Sequence, residues 1–438
     1  MTIITTTTTT TTTDPNDNII ILGCGIIGLS TAYYLYLSPT NTNPITLIDP
    51  SPELFSSASG FAGGFLAKDW FSPSLTPLGA LSFNEHARLA AENNGRENWG
   101  YTPSTCISYI QHHDGSKQQK RGDDWLRSGT SRVNAAPVEA EHDEARRPGW
   151  LKKKEGDKVE VISEEGTTAQ VDPLRLCQWL LGEVMKRGGK VLQPAKATGL
   201  LRDDLTGEVK GVKVRDLKDG SERVVKGNRV VITAGVWTPK VFRTLFPQAK
   251  VGMRVGSLAG HSIVVRTPIW DTREGEEECH AVFTTHEKNF CPEMFSRLGG
   301  GGEVYFAGLN DSTLEVQDPE KGKARPLDEQ RGLLREAVGD IIKGGDGGLE
   351  VVREGLCFRP VTEWGAPIVS QITGEDLGIS VGDGGVWVAA GHGPWGIAMS
   401  LGTGVVMADL VEGKETRVDV RGLGYHGPNT HPVVVHTI

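Results

Sequence analysis

The chain is poor in cysteine, and its cysteines form no CxxC pair. Only six occur in 438 residues. Disulfide frameworks are typical of short secreted chains, so we expect reduced thiols and a cytoplasmic protein. The cysteines and histidines between residues 279 and 291 match no usual zinc spacing. No metal site is therefore predicted.

Long apolar runs and an excess of basic residues are also missing. The first apolar run, Ile19–Leu22, is far shorter than the roughly 18 to 20 residues that cross a bilayer. The formal net charge is −9, whereas a nucleic-acid partner normally requires a basic face. The threonine-rich start has neither the basic nor the apolar part of a signal peptide. We therefore expect no transmembrane segment and no nucleic-acid partner.

Glycine, in contrast, is abundant, with 56 residues. Glycine allows a backbone to approach a large ligand closely. The first glycines follow a short apolar strand predicted at residues 18–22, and a helix is predicted over Ile26–Leu37. A second apolar strand, Ile45–Ile48, completes a βαβ unit of about 30 residues.

The turn inside this unit has the sequence GCGIIG, which matches the GxGxxG dinucleotide fingerprint. Its glycines allow a tight turn and close approach to a pyrophosphate, which binds at the helix N-terminus. An acid 21 residues after the last glycine (49 − 28) is placed to accept ribose hydroxyls. A turn without a ligand is the alternative, and the motif alone does not distinguish FAD from NAD. The predicted binding residues are Gly23, Cys24, Gly25, Ile26, Ile27, Gly28, Asp49 and Pro50.

Two further segments favour FAD. Residues 56–66 are small and glycine-rich, and residues 388–397 predict a strand, a glycine turn and a helix. With these segments, residues 18–411 resemble the superfamily of D-amino-acid oxidase, glycine oxidase and sarcosine oxidase, and especially its fungal FAD oxidoreductases. The supporting motifs occur in family order: GCGIIG at 23–28, SASG at 57–60, AQVDP at 169–173, TAGVW at 233–237, LCFRPVT at 356–362 and GHGPWG at 391–396.

The resemblance implies FAD as cofactor and assigns residues to it. It implies that the backbone of Val171 binds adenine and that the turn at 391–396 directs a helix N-terminus at the flavin pyrimidine edge. A positive helix end there would stabilise reduced, anionic flavin. The remaining residues that it implies are Ser57, Ala58, Ser59, Gly60, Ala62, Gly63, Gly64, Ala234, Gly235, Trp237, Gly391, His392, Gly393, Pro394, Gly396 and Ile397.

Four residues are candidates for the chemistry. The resemblance implies that Arg359 binds a substrate carboxylate, a task that suits a guanidinium, although a structural ion pair is the alternative. It also aligns Cys357 with a cysteine that holds flavin covalently in sarcosine oxidases; we expect non-covalent FAD and a buried structural thiol. Lys68 is a candidate cation for oxygen reduction or else a surface lysine, and Trp395 either forms a wall of the substrate site or packs. For His392, a structural role in its turn is the alternative to a hydrogen bond near the cofactor.

The resemblance implies an α/β fold in which a Rossmann-type FAD-binding domain is interleaved with a mainly antiparallel substrate domain. A threonine-rich stretch without apolar partners predicts a disordered tail. The predicted limits are 1–13 for this tail, 14–66, 167–245 and 352–412 for the FAD-binding domain, 67–166 and 246–351 for the substrate domain, including a polar insertion at 111–166, and 413–438 for a C-terminal tail.

The predicted activity is oxidation of a C–N bond in an amino acid or secondary amine. Flavin would accept the hydride, and oxygen would reoxidise it to give hydrogen peroxide. One alternative is a dehydrogenase that uses another acceptor. Another is a flavin-holding regulatory or trafficking protein, for which the insertion at 111–166 would be a docking surface. Binding of NAD alone is a third. The oligomeric state does not follow from the sequence.

Overall fold

A computed structural model describes residues 18–111, 143, 146–269, 279–284, 290–298, 302–345 and 347–427. The predicted threonine-rich tail, most of the polar insertion and His286 lie outside these residues. No helix in the described ranges has both the length and the apolar character needed to cross a membrane.

The described part of the chain contains 18 strands and nine α-helices. The strands are β1 (Ile19–Leu22), β2 (Ile45–Ile48), β3 (Phe65–Ala67), β4 (Thr102–Ile110), β5 (Lys158–Val161), β6 (Thr168–Gln170), β7 (Lys190–Leu192), β8 (Ala195–Arg202), β9 (Val209–Asp216), β10 (Glu222–Lys226), β11 (Arg229–Ile232), β12 (Val255–Arg266), β13 (Cys279–Thr284), β14 (Glu293–Arg297), β15 (Glu303–Asp311), β16 (Glu350–Thr362), β17 (Ile368–Ile372) and β18 (Gly385–Ala390). The helices are α1 (Ile26–Leu37), α2 (Ala58–Phe61), α3 (Thr76–Glu92), α4 (Gly95–Trp99), α5 (Pro173–Lys186), α6 (Thr238–Leu245), α7 (Asp328–Ile341), α8 (Gly374–Leu377) and α9 (Ser400–Val411).

The first sheet has six strands in the order β17-β18-β11-β1-β2-β7. Its neighbours are parallel except β17 and β18. In β1, Ile19 and Ile21 pack into one buried cluster with α1 and α9, while Ile20 and Leu22 pack into another with α6. Both faces are covered, which explains why these strands are continuous apolar runs rather than alternating ones.

The second sheet has nine strands in the order β16-β12-β15-β14-β13-β4-β6-β3, with β5 beside β4. Except for the parallel pair β4 and β13, its neighbours are antiparallel. One face packs against α7, with Ile263 and Phe306 beside Leu334 and Val338. The predicted fold class, a Rossmann-type sheet combined with a mainly antiparallel one, is therefore confirmed. The domain limits stay a prediction.

The last helix begins later than predicted. The sequence predicts a helix directly after the glycine turn at 391–396, but α9 begins at Ser400 and a 3₁₀ turn, Gly393–Trp395, precedes it. Gly391 and Gly393 have positive φ angles of 85° and 57°, which an α-helix does not accommodate. The tighter bond from Trp395 N–H to His392 C=O forms instead.

Candidate active site

A cavity of about 260 Å³ opens where the parallel strands end. The segments after β1, β2, β11 and β18 line it, which is the usual ligand position in open α/β sheets. The second sheet covers it through β13 to β16. The predicted residues that line it are Gly23, Cys24, Gly25, Ile26, Ile27, Asp49, Pro50, Ser57, Ala58, Ser59, Ala62, Gly63, Gly64, Ala234, Gly235, Trp237, Cys357, Arg359, His392, Gly393, Pro394, Trp395, Gly396 and Ile397.

The fingerprint turn requires glycine because neighbouring backbone lies against it. Gly23 has a φ of 114°, and a Cβ atom there would lie 2.5 Å from the carbonyl oxygen of Thr233. A Cβ atom at Gly28 would lie 2.1 Å from the Gly23 carbonyl oxygen. The first residues of α1, Ile26 and Ile27, consequently line the cavity, and Ile26 N–H donates to Ser59 Oγ at 3.0 Å.

Asp49 follows β2 and is tied to the fingerprint. Its Oδ2 atom accepts a hydrogen bond from Cys24 N–H at 2.9 Å, and its Oδ1 atom accepts one from Ser51 N–H at 2.9 Å. Burial raises the pKa of Asp49, and these two hydrogen bonds oppose that shift. Each carboxylate oxygen has a second lone pair, so Asp49 can still accept a ribose hydroxyl.

The small residues 57–64 are fixed by buried side chains. Arg297, whose side chain is 5% exposed, donates from Nη2 to the carbonyl oxygens of Ala62 and Gly63 at 3.0 and 3.1 Å. The Nε2 atom of Gln170 also donates to Gly63 C=O at 2.6 Å. A Cβ atom at Gly63 would lie 2.4 Å from the ring of Phe295, so no larger residue fits without movement. The segment is therefore a rigid wall of the cavity.

The turn at residues 391–397 forms the opposite wall. Within the described residues, the N–H group of Ile397 has no hydrogen-bond acceptor, and Gly396 and Ile397 both line the cavity. His392 donates to or accepts from Thr403 Oγ1 through Nε2 at 3.1 Å, and burial lowers its pKa to about 4. The imidazole is therefore neutral at physiological pH. Trp395 packs edge to face on Phe71, with ring centroids 4.9 Å apart.

Three orphaned polar atoms test whether FAD fits this cavity. In the part of the chain that the structure describes, the buried atoms Ser57 Oγ, His392 Nδ1 and Trp395 Nε1 have no hydrogen-bond partner. All three residues line the cavity. Buried polar groups normally have partners, so a polar ligand along both walls is expected. The α1 N-terminus, Asp49 and the free N–H group of Ile397 suit the pyrophosphate, ribose and flavin of FAD.

The end of the cavity nearest the second sheet carries one charged pair among aromatic rings. Arg359 on β16 donates from Nη1 to Asn310 Oδ1 at 2.5 Å, and its Nη2 atom lies 3.7 Å from Glu293 Oε1. The aromatic lining consists of Phe65, Phe283, Phe295 and Tyr305, with Phe295 stacked between Phe65 and Tyr305. We call this the substrate end and the fingerprint side the dinucleotide end.

Cys357 lies on the same strand as Arg359, two residues away, and faces the cavity. Burial raises the pKa of its thiol, with Glu293 acting in the same direction and Arg359 in the opposite one. The thiolate is the nucleophilic form. At neutral pH the protonated thiol therefore behaves as a small apolar side chain.

Two predicted residues lie elsewhere. Lys68 follows β3, and its N–H group donates to Thr167 C=O. Its side chain is exposed to solvent and does not line the cavity. Val171 is fully buried, and its N–H group donates to Gly64 C=O at 3.0 Å, so it is not available to adenine. Gly28, Gly60 and Gly391 also stand behind the lining rather than in it.

Sequence reasoning missed two parts of the dinucleotide end. The first is the start of β8, where Ala195, Lys196 and Ala197 line the cavity. The second is the loop at residues 317–322, which we call the strap. Its Gln317 carbonyl accepts from Trp237 Nε1 at 3.0 Å, and its acids Asp318 and Glu320 pair with Lys240 and Lys196.

Sequence reasoning also missed Glu293, Phe295 and Tyr305 at the substrate end. These residues alternate along β14 and β15, so period-two alternation was the signal that could have found them. Alternation predicts which residues share a face of the sheet, but it does not show whether that face meets a cofactor. No short motif surrounds these three residues.

Comparisons with known proteins agree with this geometry. The family model for FAD dependent oxidoreductases (DAO) matches residues 18–410. The Schizosaccharomyces pombe protein named "Putative oxidoreductase C1F5.03c" is 26% identical over 420 residues, which cover 90% of this chain and 94% of that protein. A Bradyrhizobium diazoefficiens D-amino acid dehydrogenase is 24% identical over 454 residues, with 92% and 97% covered.

Among solved structures, glycine oxidase from Geobacillus kaustophilus superposes with a TM-score of 0.66 at 20% identity, over 94% of this chain and 99% of that one. This likeness supports the fold. The family match extends over both sheets and the whole cavity, and it confirms both the resemblance seen in the motifs and FAD as the cofactor. The chain belongs to the DAO family of FAD-dependent oxidoreductases.

Proposed function

We propose that this protein oxidises the C–N bond of an amino acid or secondary amine that carries a carboxylate, with oxygen as the electron acceptor. The proposal rests on the position of Arg359. Its side chain is 14% exposed, and its guanidinium faces the cavity among aromatic rings. A buried cation without a ligand function is costly. FAD, when bound, supplies the acceptor for a hydride from the substrate carbon.

Arg359 would bind the carboxylate and orient the substrate. Asn310 occupies one of its five N–H donors and fixes the plane of the guanidinium, which leaves donors directed at the cavity. The walls formed by Phe283, Phe295 and Tyr305 exclude water from the reacting carbon. The amine must lose its ammonium proton before hydride leaves, so activity rises with pH through the effective pKa of the substrate.

A dehydrogenase that passes electrons to a carrier is the second candidate, and two observations favour it. The related Bradyrhizobium protein is named as a dehydrogenase. Lys68, the lysine that would have favoured oxygen reduction, lies outside the cavity. Peroxide yield per imine formed under air separates the two: one equivalent supports the oxidase, and a yield near zero supports the dehydrogenase.

The test of the proposed function is an anaerobic flavin-bleaching screen. The panel contains D- and L-amino acids, N-methyl amino acids, opine-like secondary amines and the corresponding amines without a carboxylate. Arg359→Ala should raise the KM for the best carboxylate substrate about 100-fold. Arg359→Lys keeps the charge but loses the bidentate guanidinium, so its KM should lie between those of the parent and Arg359→Ala.

Arg243→Ala is the matched control, because Arg243 is exposed and does not line the cavity. Equal KM values for the parent and Arg359→Ala would refute the carboxylate role. If no amine bleaches the flavin, the result favours the alternative of a flavin-holding regulatory or trafficking protein.

A further inference from the structure

Glu293 begins β14 and faces the substrate end of the cavity. It lies opposite Ala307 of β15 and Phe283 of β13, in the sheet face that also carries Phe295. Its side chain is 19% exposed, and its Oε1 atom is 3.7 Å from Arg359 Nη2. That separation is too long for a hydrogen bond, although it is close enough for charge pairing.

The Glu293–Arg359 pair stands apart from the other charges of the cavity. Among the described residues that line the cavity, the other charged side chains are at the dinucleotide end: Asp49, Lys196, Lys240, Asp318 and Glu320. The substrate end therefore presents one cation and one anion within an aromatic enclosure. A carboxylic acid would need only the cation, and a simple amine would need only the anion.

Glu293 also keeps its hydrogen-bonding capacity. None of the described residues donates a hydrogen bond to its carboxylate, whereas Arg359 is already held by Asn310. A carboxylate that only neutralised Arg359 would be expected to contact it at hydrogen-bond distance. The gap instead leaves lone pairs of Glu293 directed at the cavity.

We propose that Glu293 is a specificity-determining catalytic residue that binds the substrate's amino group and takes its ammonium proton, while Arg359 binds the adjacent carboxylate. This inference rests on the proposed function. In the step, an N–H bond of the ammonium breaks, the proton joins a Glu293 oxygen, and the electron pair stays on nitrogen. The products are a neutral amine and a neutral carboxylic acid. The site thus selects amino acids over amines or acids alone.

The surroundings of Glu293 suit a proton acceptor. Burial raises its pKa, and Arg359 opposes that shift. The other titratable groups that face it are Tyr305 on β15 and Cys357 on β16, and burial raises the pKa of each. Both are therefore neutral at physiological pH, and Arg359 is the charge that Glu293 meets. A carboxylate of raised pKa is a stronger base.

The first experiment measures binding without turnover. Benzoate carries a carboxylate only, and anthranilate carries an amine beside it, so their dissociation constants from the FAD-loaded protein isolate the amine contact. Calorimetry should give tighter binding of anthranilate to the parent, by about tenfold. In Glu293→Gln, benzoate should tighten because a negative charge is gone, while anthranilate should not. The preference, which is the dissociation constant of benzoate divided by that of anthranilate, should therefore fall about tenfold.

Glu303→Gln is the matched control. Glu303 lies on the neighbouring strand, its side chain is 14% exposed, and it pairs with Arg266 at 3.0 Å, but it does not line the cavity. It should keep the preference of the parent. If Glu293 only balances Arg359, both ligands will change by the same factor in Glu293→Gln, and the unchanged preference overturns the proposal. Glu293→Asp keeps the charge and should keep part of the preference, should the glutamine variant not hold FAD.

The second experiment is the pH profile of anaerobic flavin reduction by the best amino acid of the screen. Glu293→Gln should be at least about tenfold slower than the parent at neutral pH. The deficit should disappear above the pKa of the substrate's own amine, because the proton has then already left. A deficit that is constant with pH would overturn the proton transfer. If the parent is bleached by no amine, the proposed function fails, and the ligand preference still tests Glu293.

Discussion

The two ends of the cavity are built from different parts of the chain. The core of the dinucleotide end is the short stretch from Gly23 to Asp49, which contributes backbone groups and one carboxylate, and the start of β8 and the strap complete it. The substrate end uses side chains of five strands: Phe65 of β3, and residues of β13 to β16 from Phe283 to Arg359. A ligand shared by many proteins is bound by backbone that one motif encodes. The ligand that differs among them is bound by side chains that only the fold brings together.

The largest expected effect is the loss of FAD binding from a change at the dinucleotide end alone. Gly23→Ala should weaken FAD binding at least about 100-fold, because alanine at a φ of 114° is strained and its Cβ atom would lie 2.5 Å from Thr233 C=O. Bound flavin per protein after dialysis measures this. Gly207→Ala is the control, since its φ is also positive, at 70°, but nothing lies within 4 Å. Full flavin content in Gly23→Ala would contradict the geometry of the turn.

The next effect tests whether the two ends are independent. Arg297 belongs to β14 but holds the carbonyl groups of Ala62 and Gly63, so it joins the second sheet to the cofactor wall. Arg297→Met should lower the free energy of unfolding by about 2 kcal/mol, as measured in urea with saturating FAD. Arg187→Met removes an outer pair with Glu183 and should cost less than about 1 kcal/mol. Equal losses in the two variants would show that the link contributes no more to stability than an outer ion pair.

A third effect depends on pH and concerns the turn at 391–397. His392 belongs to this turn and His86 contacts Ile397 C=O at 3.0 Å, and burial lowers the pKa of each to about 4. Between pH 6.5 and 4 the unfolded state binds more protons, so stability present above pH 6.5 is lost as pH falls, by up to about 1.4 kcal/mol per unit for each histidine.

Urea unfolding at several pH values measures this loss. His86→Gln and His392→Asn should each flatten the dependence, whereas His426→Asn, at a more exposed histidine, should not. An unchanged slope in both buried variants would mean that other groups control acid unfolding.

The smallest effect concerns the strap. Its ion pairs, Lys240 with Asp318 and Lys196 with Glu320, are partly exposed, so each contributes little. The double variant Lys196→Ala/Lys240→Ala should release FAD no more than about fivefold faster at low salt, and the difference should vanish at high salt. Lys250→Ala, which removes an exposed pair with Glu375, is the control. A salt-independent difference would assign the lysines to direct contact with FAD.

Sequence reasoning worked where one local pattern determines structure. The bounds of α1 and β2 were predicted to the residue, because an apolar strand, three glycines and an acid at fixed spacing leave few alternatives. It misplaced Val171, whose N–H group is taken by Gly64, and it left open whether Lys68, which follows β3 and is exposed, meets the cavity. It also could not find Glu293, because long-range strand pairing brings that residue to Arg359.

The pairing of β18 with β11 has a consequence for biosynthesis. β11 ends at residue 232 and β18 begins at residue 385, which is 153 positions further along the chain (385 − 232). At about 5 to 20 residues per second, the ribosome needs roughly 8 to 30 s to supply the missing strand. During that interval the edge of β11 that later pairs with β18 is unpaired and apolar. Such an edge can bind chaperones or start aggregation. We therefore expect FAD to bind after the ribosome has passed residue 397, although the phosphate-binding turn at residues 23–28 is synthesised long before.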